Sequence, residues 1–311
     1  MTLAGDSFTA RLTSVGREVE EALAACLEGA AARRGEIGVP ERLAAAMRHA
    51  ALGGGKRLRP FLVIETARVL GRHDKGALIA GCALEFLHCY SLVHDDLPAM
   101  DDDDMRRGRP TVHKAFDEAT AILAGDGLLT LAFEVMASPE TDADAAIRVE
   151  LIAALARAAG AAGMVGGQML DLLAESRLER GEPPLAEKEI RHLQEMKTGA
   201  LLAFAVEAGA ILGRASGRER ASLRAYGEAL GAAFQIADDI LDVEGTAAAL
   251  GKATGKDAAR GKATLVAALG LERAKLERDA LANRAIACLS SFDTGADLLR
   301  AAARFTIERR A

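Results

Sequence analysis

Apolar residues recur along this chain at intervals of three and four rather than two, as at Leu223, Leu230, Phe234 and Leu241, the period of one face of an α-helix. Good helix formers (Ala, Leu, Glu, Arg) fill nearly every segment between turn signals. The pattern predicts helices over Ser7–Arg34, Glu41–Ala51, Pro60–Leu70, Lys75–Leu97, Thr111–Met136, Asp142–Glu175, Glu187–Leu212, Arg218–Val243, Lys262–Leu281 and Thr294–Arg309. Short separators lie between them: Gly35–Pro40, Met105–Pro110, Ser138–Asp142, Gly181–Pro184, Gly213–Gly217 and the Gly/Lys-rich stretch Gly245–Gly261. None reads as an interdomain linker. The expectation is an all-α chain of about ten helices, folded as one domain over residues 1–311.

Composition narrows the function classes. The balance of 39 basic against 45 acidic residues gives a net charge of −6, and there are no Trp and two Tyr. The chain therefore lacks both the positive field and the stacking surfaces of a nucleic-acid binder. The longest stretches of low polarity, Thr198–Gly213 and Ala158–Leu170, fall short of the roughly 20 apolar residues a membrane span needs. No transmembrane segment is expected. The first residues lead into an acidic amphipathic segment, Val15–Leu27, without the basic start and apolar run of a secretion signal, so a cytoplasmic location is expected. Cys26, Cys82, Cys89 and Cys288 form no CxxC pair and read as buried reduced thiols.

Two acidic clusters stand out against this background. The first holds six aspartates within ten residues, Asp95, Asp96 and Asp101–Asp104, followed at once by Arg106, Arg107 and Arg109. Charge runs are usually solvated, but this one ends the apolar run Ala83–Val93. Carboxylates gathered at the negative end of a helix repel one another unless a cation is present. In the second cluster, Asp238 and Asp242 lie one turn apart with Gln235 a turn earlier and Asp239 between. As an ordinary polar helix face it would be costly in such apolar surroundings. A divalent cation with oxygen ligands relieves both clusters, and magnesium fits better than a calcium cage.

The basic residues fall into matching sets. Gly53-Gly54-Gly55-Lys56-Arg57-Leu58-Arg59-Pro60 opens a helix, where an anion finds cations and free N–H groups. Further sets are Arg106-Arg107, Lys197-Thr198, and Lys252, Lys256 and Lys262. His88 lies seven residues before Asp95, two turns up the same face and roughly 10 Å away. Alone it would read as a core histidine; among these neighbours it reads as a second phosphate contact. No nucleophile elbow or catalytic triad is present. Together the clusters indicate metal-bridged binding of polyanionic substrates.

Gly54–Pro60, the aspartate run with Arg106-Arg107, Gly166-Gly167-Gln168, Lys197-Thr198 and Phe234–Asp242 occur in the order and at the separations found in trans-isoprenyl diphosphate synthases. Over nearly its whole length the chain most resembles the bacterial farnesyl type. The resemblance implies an all-helical homodimer with a central cavity and about three Mg2+ ions per site. It implies that Asp95, Asp96 and Asp101, with Asp238, Asp239 and Asp242, hold the metal on an allylic diphosphate. It places Arg106, Lys197, Lys252 and Lys262 on that diphosphate, with Thr198 and Gln235 as dipoles steadying positive charge. It assigns Lys56, Arg59, His88 and Arg107 to the diphosphate of isopentenyl diphosphate. The released diphosphate then takes the final proton.

The resemblance implies that product length is set by a bulky residue near Asp95. Ideal geometry turns Tyr90 about 140° away from Asp95 and brings Ser91 nearer the line, yet the resemblance assigns the blocking role to the aromatic Tyr90. The longer spacing of the first motif, with four residues between Asp96 and Asp101, is shared with geranylgeranyl synthases. That enzyme is the runner-up reading. A terpene cyclase would not need a second diphosphate site, and a catalytically silent partner subunit would not need both motifs intact; a simple magnesium or calcium buffer is the remaining binding-module reading. Arg309 and Arg310 resemble a basic C-terminus that closes over substrate in some relatives.

Overall fold

The computed structural model describes residues 3–32, 38–244 and 263–308. The candidate cations Lys252, Lys256, Lys262, Arg309 and Arg310 lie outside these. The chain clusters into two compact units, one of residues up to Ile64 with Arg72–Ile152, the other of Glu65–Gly71 with residues from Ala153 onward.

The first unit contains α1 (Leu3–Ala32), α2 (Glu41–Ala51), the start of α3 (Leu58–Val69), α4 (Gly76–Asp95), the short α5 (Val112–Ala115), α6 (Glu118–Ala137) and the start of α7 (Ala145–Ala159). Its most extensive pairing is α4 against α6. Both helices are apolar nearly all round, as buried helices are, although α6 leaves Ile122 and Leu123 exposed. Gly81 lets α4 approach α3, since a Cβ there would lie 3.1 Å from Pro60 Cα. The Asp117 side chain caps α6 by accepting from the Thr120 amide. One element departs from the all-helical expectation. Met105–Arg106 pairs antiparallel with Arg109–Pro110, turning through Arg107 (φ 51°) and Gly108 (φ 73°). Two positive φ values in succession are those of a type I′ hairpin turn.

The second unit contains α8 (Met164–Glu179), α9 (Glu187–Gln194), a π-helical turn (Glu195–Gly199), α10 (Ala200–Leu212), α11 (Gly217–Glu244), α12 (Leu265–Leu269), α13 (Leu271–Cys288) and α14 (Asp297–Glu308). α11 packs against α10 and α13, with Tyr226 fully buried and its hydroxyl donating to the Leu299 carbonyl at 2.7 Å. Ile190, Ile236, Ile240, Leu265 and Val266 form a tight apolar cluster around the end of α11. Each such side chain removed from water contributes about 2 kcal/mol.

Several long helices foreseen from the sequence are interrupted. The stretch Asp142–Glu175 breaks at residues 160–163, between α7 and α8, and Thr111–Met136 breaks between α5 and α6. Gly270 (φ 81°) separates α12 from α13. The absence of any membrane-length apolar helix is also corrected. The helices 76–95 and 118–137 are long and apolar enough to cross a bilayer by length and composition, as is the stretch 145–177, which the turn at residues 160–163 divides between α7 and α8. A search for uninterrupted apolar runs passes over them because single polar residues punctuate each one. In α4, 72% of the apolar window is buried inside the fold. Of the four cysteines, all free, Cys82 and Cys89 are buried as expected, whereas Cys26 and Cys288 are partly exposed.

Candidate active site

The aspartate run begins on the last residue of α4 and curls back on it. The amides of Asp101, Asp102 and Asp103 donate to the carbonyls of Asp95, Leu97 and Asp96 at 2.8, 3.1 and 3.2 Å. These bonds satisfy carbonyls that a helix C-terminus leaves open, and they tie the backbone of Asp101 directly to that of Asp95. Asp95 and Asp101 are half-buried. Asp96 is 3% exposed and accepts from Arg106 Nε and Nη2, both at 2.7 Å. Its carboxyl is nonetheless pushed above the usual range, because burial outweighs the nearby guanidinium. The hairpin is what brings Arg106 back to Asp96.

Ligating atoms of Asp102, Asp104 and His113 lie within 4.8 Å of one another. Asp102 and Asp104 belong to the acidic run read above as relieved by a cation, but the resemblance assigned no ion to them, and His113 was given no role. Asp104 also pairs with Lys114 at 2.9 Å, and His113 Nδ1 meets the Thr111 hydroxyl at 3.1 Å.

Two turns back along α4 from Asp95, Arg59 donates to His88 Nε2 at 3.3 Å. The His88 pKa is held well below its ordinary value by burial and by Arg59, Arg107, Arg106 and Arg57, so the ring is neutral and accepts. Arg107 reaches the same loop. Its Nη1 donates to the Gly54 carbonyl, and its guanidinium covers Gly55, where a Cβ would clash at 2.7 Å. Lys56 is exposed on that loop. A pocket in this unit is lined by His49, Cys89, Asp96, Arg106, Arg107 and Arg109, and its three guanidiniums suit a diphosphate. Tyr90 is buried with its ring edge-to-face on His94 at 5.5 Å, and the Ser91 hydroxyl turns back to the His88 carbonyl.

In the second unit, Asp239 and Asp242 are 4% and 6% exposed and Asp238 is half-buried. Spacing pointed Gln235 along the Asp238–Asp242 line. Instead its amide donates to Asp239 Oδ1 at 3.0 Å, a full i to i+4 step. Gln194 Nε2 and the Leu265 amide donate to Asp239 Oδ2 at 2.8 and 3.1 Å. Despite three donors, burial lifts the Asp239 carboxyl to about 6. Lys197 and Thr198 sit in the π-helical turn, and Lys197 Nζ pairs with Asp171 at 2.5 Å. The turn lies hard against α8, where a Cβ on Gly167 would fall 2.2 Å from the Lys197 amide nitrogen.

Residues 40–298 match the family described as polyprenyl synthetase. The chain belongs to the polyprenyl synthetase family. It is 47% identical over 271 residues to the farnesyl diphosphate synthase of Escherichia coli, covering 85% of this chain and 88% of that one. It is 44% identical over 249 residues to the chloroplastic geranylgeranyl pyrophosphate synthase 3 of Arabidopsis thaliana, covering 80% of this chain and 68% of that one. Among solved structures it resembles an FPP/GFPP synthase from Zymomonas mobilis, with a TM-score of 0.84, 44% identity and coverage of 97% and 99%. Within this synthetase framework the sequence reading missed Asp171, Gln194, His113 and the partners of Arg57. Only Asp171 had a local signal, being three residues past the Gly-Gly-Gln triplet.

Proposed function

We propose that the protein is a farnesyl diphosphate synthase, joining isopentenyl diphosphate head-to-tail with dimethylallyl and then geranyl diphosphate. The observation that carries this reading is the separation of cations from carboxylates along α4. Arg59 and His88 meet some two turns from Asp95 and the aspartate turn, which is room for two diphosphate groups rather than one.

Asp95, Asp96 and Asp101, and Asp238, Asp239 and Asp242, would hold Mg2+, about three ions by family resemblance. The donor chemistry fits, because all six are hard oxygen ligands and Asp239 is a buried carboxyl whose ionisation a cation would favour. Magnesium, when bound, neutralises the leaving diphosphate and so permits C–O heterolysis to an allylic cation. Arg106 uses Nε and Nη2 on Asp96 and has further N–H groups for that diphosphate. Lys197, held by Asp171, grips it as well, joined in the proposal by Lys252 and Lys262. Gln235 donates its N–H to Asp239, which frees its carbonyl oxygen, with the Thr198 hydroxyl, to face positive charge. Lys56, Arg59, His88 and Arg107 orient isopentenyl diphosphate so that its double bond forms the new C–C bond. The proton lost afterwards leaves with the diphosphate.

The whole chain is proposed to act as one polyprenyl synthase domain in a cytoplasmic homodimer. The geranylgeranyl reading draws on the plant relative and differs only in where elongation stops. Incubating the pure protein with Mg2+, labelled isopentenyl diphosphate and either dimethylallyl or geranyl diphosphate, followed by chromatography, tests the proposal. A fifteen-carbon main product supports it, a twenty-carbon product selects the second reading, and no incorporation overturns both.

A further inference from the structure

Of the three cations in the Gly53–Pro60 stretch, Arg57 is the buried one. It is 3% exposed, yet it belongs to a run of cations whose other members, Lys56 and Arg59, are respectively exposed and half-buried. Its backbone lies in the left-handed region at φ 48°, two residues after Gly55 (φ 130°), which itself follows Gly54 (φ 75°). A non-glycine residue holds that conformation only where its surroundings fix it, and here they do. Arg57 Nη1 donates to Glu85 Oε1 at 2.5 Å, and Nη2 donates to Glu20 Oε2 at 2.5 Å and to the Ala51 carbonyl at 2.7 Å. One guanidinium thus binds α1, the end of α2 and the middle of α4. Its planar fork is suited to this; a lysine ammonium is not.

The same residue sets the start of α3, because the Arg57 carbonyl accepts from the Phe61 amide at 3.1 Å. Arg59 therefore stands in the first turn of a helix whose origin Arg57 fixes. Glu85 and His88 are three residues apart on α4 and share a face. Arg57–Glu85 and Arg59–His88 are consequently parallel rungs between the loop and α4, the first buried and anionic at its helix end, the second open to ligand.

We infer that Arg57, through its buried pairing with Glu85, is a positioning residue for the isopentenyl diphosphate site, holding Lys56 and Arg59 in register with His88. The inference rests on the function proposed above. No contact of Arg57 with substrate is required. Its removal should let the loop relax toward ordinary φ values and carry the two cations out of register.

The test is steady-state kinetics of Arg57→Gln and Glu85→Gln with each substrate varied in turn, alongside melting temperatures and calorimetric titration with isopentenyl diphosphate. The expected result is a rise of tenfold or more in KM and Kd for isopentenyl diphosphate, with the allylic KM within twofold and kcat within threefold of the parent. Arg57→Lys should recover part of the loss. In an Arg59→Ala background, Glu85→Gln should add less than threefold, because both act on one site. Equal rises in both KM values, or a lowered melting temperature with KM unchanged, would overturn the inference. Should Arg57→Gln not fold, Glu20→Gln removes the α1 partner of Arg57 from a half-exposed position and is expected to raise the same KM by at least threefold; an unchanged KM counts against it. Failure of the parent protein to incorporate isopentenyl diphosphate at all would instead overturn the proposed function.

Discussion

Asp239 concentrates the electrostatic tension of the second aspartate motif in a single carboxyl. Burial raises its pKa to about 6 even though Gln235, Gln194 and the Leu265 amide all stabilise the ionised form. A carboxyl raised in the folded state gives a stability contribution that is full below the unfolded pKa and is lost as pH rises through the folded one. For Asp239 that window runs from about pH 4 to about 6. A carbon NMR titration of the metal-free protein should find its midpoint near 6, and Mg2+ with pyrophosphate should move it down; a midpoint in the ordinary carboxylate range would contradict the burial argument. Asp95→Asn and Asp239→Asn should each cut turnover by about 100-fold or more with the circular dichroism spectrum unchanged, since loss of a metal ligand raises the barrier to ionisation more than it disturbs packing. The acidic residues were legible because charge in an apolar helix is visible in one dimension. Their partners were not: Gln194 meets Asp239 across 45 positions and Asp171 meets Lys197 across 26, and spacing on one helix carries no information about either.

Helix existence was legible and helix continuity was not. The apolar period runs on through Asp142–Glu175, yet residues 160–163 leave the helix and α8 starts afresh at Met164. Glycine in a periodic stretch reads as a tolerated defect, while here it permits contact. A Cβ on Gly163 would meet the Ala158 carbonyl at 2.1 Å, and one on Gly167 the backbone of Lys197. Gly167→Ala should therefore cost about 1–3 kcal/mol of stability through overpacking, read as a lower midpoint in urea. It should also reduce turnover beyond that loss, because the displaced backbone carries Lys197. Retained activity with lowered stability would detach Lys197 from the chemistry. The hairpin at Met105–Pro110 passed for a separator because two-residue strands have no periodicity to detect, although Arg107-Gly108 is a reasonable turn pair.

At the scale of the whole molecule, we propose that Tyr90 sets the product length. Tyr90 is buried against His94, whose Nε2 meets the Ile122 carbonyl at 3.0 Å, so the ring is fixed from α6 as well as α4. Tyr90→Ala should shift the main product from fifteen carbons to twenty or more in a folded, active enzyme; an active variant that still stops at fifteen removes Tyr90 from the role. A different consequence follows from the π-helical turn at Glu195–Gly199. Such a turn is an α-helix with one residue too many, and in a gene that is a single inserted codon. Deleting one codon from this stretch would give a more regular helix and rotate everything on one side of it by about 100°. α10 could not follow, because Gly227 and Gly231 of α11 each sit where a Cβ would lie 3.1 Å from the backbone of Ala203 and Gly199. A deletion that a surface loop would absorb unnoticed should here yield insoluble or inactive protein, which makes these five codons a place where the reading frame can stay intact and the message still be lost.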